Sequence, residues 1–185
     1  DPHSGTVLMP IAAFPALTAA NLPGFGRDHF ALMRDYAKMG GVLALLHDRS
    51  EGSVEPGGSL ARPRIRYALD ARDRAQLTQG LRHCVELLFA SGARRVVVPY
   101  APEPVVFGRG SDLAELERRE VREGAIPIAS THPQSTCRMG ADSRRSVVDA
   151  FGACHGVGGL FVADMSVFPT SLGAPPQLTT AALAD

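Results

Sequence analysis

The sequence predicts a mixed α/β fold of the α+β type, and three observations carry that prediction. One long amphipathic stretch, Arg74 to Ala90, repeats apolar residues at helical spacing through Leu77, Leu81, Val85 and Leu88. On either side of it, the apolar runs Gly41 to His47 and Arg94 to Tyr100 have the length and composition of strands, the second with Val96-Val97-Val98 at its centre. Beyond Ile126 the texture changes to glycine, proline and small residues, the kind of loop-rich chain in which functional sites are usually built.

Taken in order, residues 1 to 26 hold Pro2, Pro10, Pro15 and Pro23 with several glycines around apolar pairs such as Val7-Leu8. That pattern suits extended segments and loops rather than a helix, as a surface-crossing segment or as a lid or channel lining. Asp28 to Met39 reads as a helix with Phe30, Met33, Tyr36 and Ala37 on one face and Gly40-Gly41 as its stop. The cluster Asp48-Arg49-Ser50-Glu51-Gly52 turns the chain after the first apolar run, and Ile65 to Leu69 alternates like a strand. These two strands are expected to be antiparallel neighbours. Asp70 and Asp73 offer N-cap oxygens to the long helix, and Gly92 suits a left-handed cap at its end.

Pro99, Pro102 and Pro104 then interrupt regular structure, and Asp112 to Glu123 reads as a charged, solvent-facing helix with Leu113 and Leu116 inward. Leu160 to Ala163 is expected as a strand running into a proline-rich turn. Leu178 to Leu183 has the apolar character of a helix's first turns. No internal repeat or low-complexity tract is present.

A chain of 185 residues suits one domain or two small lobes and is long enough to bury a core. Its 19 basic and 19 acidic side chains cancel, which argues against a nucleic-acid partner held by bulk charge. Cys84, Cys137 and Cys154 are an odd count without metal-ligand spacing, so neither a disulfide framework nor a metal site is expected, and a reducing compartment, the cytoplasm, is favoured. No stretch approaches the roughly 18 consecutive apolar residues that span a bilayer, although membrane association is left open. Asp1 in place of a methionine, and an apolar run at Leu183-Ala184-Asp185, lead to the expectation that both ends are cut and the chain is a fragment.

The densest chemistry lies in Ser130 to Gly140, Ser-Thr-His-Pro-Gln-Ser-Thr-Cys-Arg-Met-Gly. Pro133 biases His132 toward extended backbone and so places an imidazole on a constrained loop. Histidine titrates near neutrality and can accept a hydroxyl proton and return it within a turnover, which makes His132 the leading catalytic candidate. Ser135, Thr136 and Cys137 lack a nucleophile elbow and read as structural. The strand-like stretch ending at Asp164 and Ser166 places polar groups at a strand's carboxyl end, where Asp164 serves either as a turn cap or as an acceptor for ligand hydroxyls. A helix beginning after Leu172-Gly173-Ala174-Pro175-Pro176 would aim free amides at an electron-rich group such as a reduced flavin ring.

Four stretches in order, from His132-Pro-x-x-Thr-Cys-Arg-Met to Gly140, Ser146-Val-Val to Asp149, His155-Gly-Val-x-Gly through Asp164-x-Ser-Val-Phe to Pro169, and Leu172-Gly-x-x-Pro176-Gln-x-Thr179, resemble the C-terminal region of glucose-methanol-choline (GMC) flavoprotein oxidoreductases. More loosely, Leu45-Leu46-His47-Asp48-Arg49, Ile65-Arg66-Tyr67 and Ser91-Gly92-Ala93 are similar to the long-chain alcohol oxidase branch. The resemblance implies an antiparallel-sheet substrate domain with helices over residues 1–129, followed over 130–185 by the active-site loop and the C-terminal strand and helix of a dinucleotide-binding FAD domain. The family's N-terminal GxGxxG half is not in this sequence and is expected as a missing partner, so that the chain alone should bind FAD poorly. The resemblance further implies oxidation of the CH-OH group of an apolar alcohol, with His132 as base and hydride passing to N5 of FAD. It also implies contacts to FAD from Asp164, Met165, Gly173, Pro175, Pro176, Gln177 and Thr179.

Two departures stand out. Where the family has Asn or His before the last motif's proline, this chain has Pro175, which neither donates a hydrogen bond nor acts as a base, so a partner for His132 is lost or supplied elsewhere. His155 is an unconvincing replacement. Glycine is usual where Ser135 stands, and proline where Ala150 stands. The same resemblance admits a flavin-containing lyase of the hydroxynitrile type, or an inactive truncated product, as alternatives.

Overall fold

The computed structural model describes residues 5–12, 14–58, 62–119 and 121–185. Two compact units are formed, one from the chain up to Leu46 with Asp70–Ile128, the other from His47–Leu69 with Ala129–Asp185. The mixed class with antiparallel strand pairing follows the sequence expectation. The strands pair two by two, as three antiparallel ladders.

In the first unit the organising element is α3 (Ala71–Ala90). The Asp70 carboxylate accepts a hydrogen bond from the Asp73 amide at 2.7 Å and satisfies one of the free donors at the helix start. At the other end Gly92 adopts φ 99°, the left-handed cap that its lack of a side chain allows. The buried face of α3 carries Leu77, Gly80, Cys84 and Val85. Against it packs the ladder of β1 (Thr6–Ile11) and β2 (Gly41–Leu46), in register from Thr6 opposite Leu46 to Ile11 opposite Gly41. Gly80 permits that approach, because a Cβ there would lie 2.9 Å from the Ala44 and Thr6 side chains. The gain in packing offsets the roughly 1 kcal/mol that glycine costs inside a helix. A second ladder, β5 (Arg95–Val98) with β6 (Val105–Gly108), and the short helix α4 (Ala114–Arg118) complete the unit. Their buried side chains are Val96, Val98, Phe107 and the fully enclosed Leu116.

Several expectations are corrected here. Residues 1–26 are not free of helix: α1 (Pro15–Asn21) starts on Pro15, whose missing N–H costs nothing at the first helical position. The helix expected over Asp28 to Met39 is instead α2 (Gly26–Met33) and a separate 3-10 turn at Tyr36–Lys38, and Phe30 stays 65% exposed. The Asp35 amide reaches back three residues to the Leu32 carbonyl, and the Asp35 carboxylate is held by Lys38 and Arg95, which fixes the break. Finally, β2 does not pair with the Ile65 strand. That strand, β4 (Arg64–Tyr67), belongs to the second unit and folds onto β3 (Gly52–Glu55), a local partner whose loop closure costs little entropy. The charged helix is also shorter than expected and ends at Arg118.

Apart from this hairpin, regular structure in the second unit is a 3-10 turn at Met165–Val167 and the terminal helix α5 (Gln177–Ala184). Leu160 to Ala163 is not a strand but contributes one bridge, Phe161 to Ala153. Its partner stretch is bent by Gly152 at φ 78°, which leaves no extended neighbour to prolong a ladder. No helix among the described residues is long and apolar enough to cross a membrane.

Candidate functional site

The second unit draws the dense motifs together by backbone hydrogen bonds rather than by a sheet. The Cys137 amide donates to the Ser166 carbonyl at 2.9 Å and the Met139 amide to Val167 at 2.8 Å, so the first motif lies along the stretch that follows Asp164. Gly140 then bonds to Val148 at 2.9 Å, and His155 to Val147 at 3.1 Å. The apolar side chains enclosed by this mesh are Val148, Val167 and Phe168, with Met139, Cys154, Val162 and Met165 packed around them. These motif residues are thus a small core first. A loop anchored along its length in this way presents its remaining side chains in fixed positions.

His132 is half-buried on that loop, and its amide donates to Ser130 Oγ at 3.3 Å. Neither imidazole nitrogen has a hydrogen-bond partner among the described residues. Two residues on, Gln134 acts as a strut: its Nε2 donates to the His132 carbonyl at 3.3 Å while its Oε1 accepts from the Leu172 amide at 3.1 Å. Ser135 has φ 70°, a left-handed conformation that glycine adopts freely and that costs serine about 1 kcal/mol or more. This is the position where the sequence resemblance implies glycine.

Asp164 is exposed and caps the 3-10 turn, its Oδ1 accepting from the Ser166 amide at 2.8 Å. Hydrogen bonds from the Ser166 side chain and backbone hold its carboxyl below the usual aspartate range. Met165 turns toward the core. Gly173, at φ 65°, is pressed against His47, since a Cβ would lie 2.5 Å from the His47 Cγ. Pro175 is exposed and Pro176 is buried at the start of α5, where no side chain caps the helix. The Pro176 carbonyl takes both the Thr180 amide at 2.8 Å and the Thr180 hydroxyl at 2.9 Å. Gln177, Leu178 and Thr179 present the first-turn amides of α5, which have no partner within the helix.

His47 and Gln134 were not singled out as site residues by the sequence reading. His47 Nε2 lies 3.0 Å from the Ser171 carbonyl, so the turn before α5 is held by His47 at residue 171 and by Gln134 at residue 172. The available signal was the looser Leu45-to-Arg49 resemblance. His155 is occupied elsewhere, its Nε2 3.0 Å from the Gly140 carbonyl and 3.1 Å from Ser146 Oγ. Two surface depressions, of about 200 Å³ beside Tyr100, Arg119 and Arg122 and about 490 Å³ beside Ile65 and Tyr67, are not lined by His132.

Residues 48–184 match the C-terminal family model of the GMC oxidoreductases. The chain belongs to the GMC oxidoreductase family. It is 29% identical to a long-chain-alcohol oxidase of Arabidopsis thaliana over 96% of this chain and 25% of the relative. It is 31% identical to an uncharacterised GMC-type oxidoreductase of Sinorhizobium fredii over 92% of this chain and 34% of the relative. A 6'''-hydroxyparomomycin C oxidase of Streptomyces lividus shares 35% identity over 48% of this chain and 18% of its own length. The chain therefore spans about a quarter to a third of the length of the first two relatives.

Proposed function

We propose that this chain carries the catalytic histidine and part of the flavin site of an FAD-dependent enzyme that oxidises an apolar alcohol. The observation that carries the proposal is the anchoring of His132. An imidazole with neither nitrogen bonded among the described residues stands on a loop that is joined to the Asp164 stretch on one side and, through Gln134, to the turn before α5 on the other. Family membership supports oxidoreductase chemistry, and the names of the Arabidopsis relatives support a long-chain alcohol.

The donor set fits a flavin. The uncapped start of α5, through the amides of Gln177, Leu178 and Thr179, favours a hydrogen-bond-accepting, electron-rich edge. Asp164, kept ionised, is an acceptor suited to sugar-alcohol hydroxyls, with Met165 beside it. Gly173, Pro175 and Pro176 shape the turn that presents the helix start. When bound, FAD would supply the acceptor for the hydride leaving the alcohol carbon. The protein's part is to hold the alcohol oxygen within reach of His132, to accept its proton at an imidazole nitrogen and to exclude water.

The test is His132→Ala in the intact protein. Flavin reduction by a long-chain primary alcohol should slow by about 10²–10⁴-fold, the usual contribution of a positioned general base. Undiminished reduction would sink the assignment.

A further inference from the structure

We propose that His47 is a positioning residue of this site, which fixes the turn before α5 to which Gln134 ties the His132 loop; the inference rests on the reading of His132 given above. A carbonyl oxygen only accepts, so the 3.0 Å contact between His47 Nε2 and the Ser171 carbonyl requires the proton on Nε2. In the neutral ring the lone pair is therefore on Nδ1. That atom faces the backbone of the turn, where a Cβ on Gly173 would come within 2.6 Å of it.

The neighbouring residue of the same turn, Leu172, gives its amide to Gln134 at 3.1 Å, and Gln134 in turn holds the His132 carbonyl. Two histidines that are 85 positions apart in sequence are thereby tied by separate side-chain links to consecutive residues, 171 and 172. Two other histidines are committed elsewhere, His155 to Gly140 and His29 to Ala19 at 3.0 Å in the first unit. Next to His47 in sequence, Asp48 accepts a hydrogen bond from the Tyr67 hydroxyl.

What the turn takes from residue 47 is a side-chain N–H for the Ser171 carbonyl, so His47 acts on the site through the turn and not on the alcohol itself.

In the intact flavoprotein, His47→Gln keeps a side-chain N–H for the Ser171 carbonyl, whereas His47→Ala removes it. The alanine variant should lower kcat about ten- to a hundredfold at unchanged KM and raise hydrogen exchange across Ser171 to Gly173, and the glutamine variant should restore most of the loss. A fully active His47→Ala would overturn the inference, as would a glutamine variant as impaired as the alanine one, or an unmodified protein whose ¹⁵N imidazole shifts place the neutral-state proton of His47 on Nδ1. A fully active His132→Ala defeats the underlying base assignment instead. An inactive His132→Ala beside an unaffected His47→Ala defeats only the role of His47.

Discussion

In the first unit a 20-residue helix with a capped start gathers two strand ladders, and its contacts follow from periodicity: Leu77, Cys84 and Val85 lie on one face because helical spacing puts them there. In the second unit the equivalent work is done by single hydrogen bonds between loops, Cys137 to Ser166, Met139 to Val167, Gln134 to Leu172, around a core of three fully buried side chains. The difference teaches where chemistry can be placed. A helix face spends its side chains on burial, whereas a loop pinned through its backbone leaves His132 and the α5 amides free to meet a ligand. The cost is fragility, because each pin is one bond deep.

That contrast can be broken most forcefully in the first unit. Leu116 is completely buried under α3, and Leu116→Ala should destabilise the chain by about 2–5 kcal/mol, read as a lower denaturant midpoint, through a cavity the rigid helix cannot collapse to fill. A similar loss from a control on the exposed side of the same helix, Leu87→Ala at a residue 43% exposed, would mean that the unit is not helix-centred as described.

In the second unit the sharper probe is Gly173→Ala. The added Cβ would meet the His47 ring at 2.5 Å on a backbone with φ 65°, so about 1–3 kcal/mol of local strain is expected. Limited proteolysis should find new cleavage between Ser171 and Pro176 while the first unit stays resistant. Cleavage spread over both units would show that the turn is not a local pin.

The smallest effect concerns Cys84. Burial in the first unit pushes its thiol up to about 11, from 9.0. The native state therefore holds its proton where the unfolded chain has lost it, and stability falls as pH rises from about 9 toward 11. Replacing Cys84 by Ala should flatten that alkaline decline in urea titrations. An unchanged pH slope would refute it. Cys137 and Cys154, both free and half-buried in the second unit, should be alkylated first at neutral pH.

Much of this was legible in the chain itself. The α3 helix, its Asp70 cap and its Gly92 stop were readable because cap chemistry and 3.6-residue spacing are local, and the motif from His132 to Gly140 identified both the family and the catalytic candidate. Strand partners were not. An apolar run such as Gly41 to Leu46 advertises that it will pair but not with which run, and its partner turned out to be the Thr6 strand. Pro15 was read as a breaker when its place at a helix start made it an initiator.

Sequence by itself determined what is encoded within a few neighbouring residues: the mixed class, the long helix, the left-handed glycine at 92 and the residue types of the site. Tertiary structure alone decided the pairings across long separations. The bond from Gln134 to Leu172 and the seat of His47 against Gly173 each join residues that no local pattern relates, because a hydrogen bond records proximity in space and carries no trace in the spacing of either partner. Ser135 lies between the two cases. Its left-handed backbone shows why glycine belongs at that position, and only the folded loop shows that this chain adopts the conformation with serine.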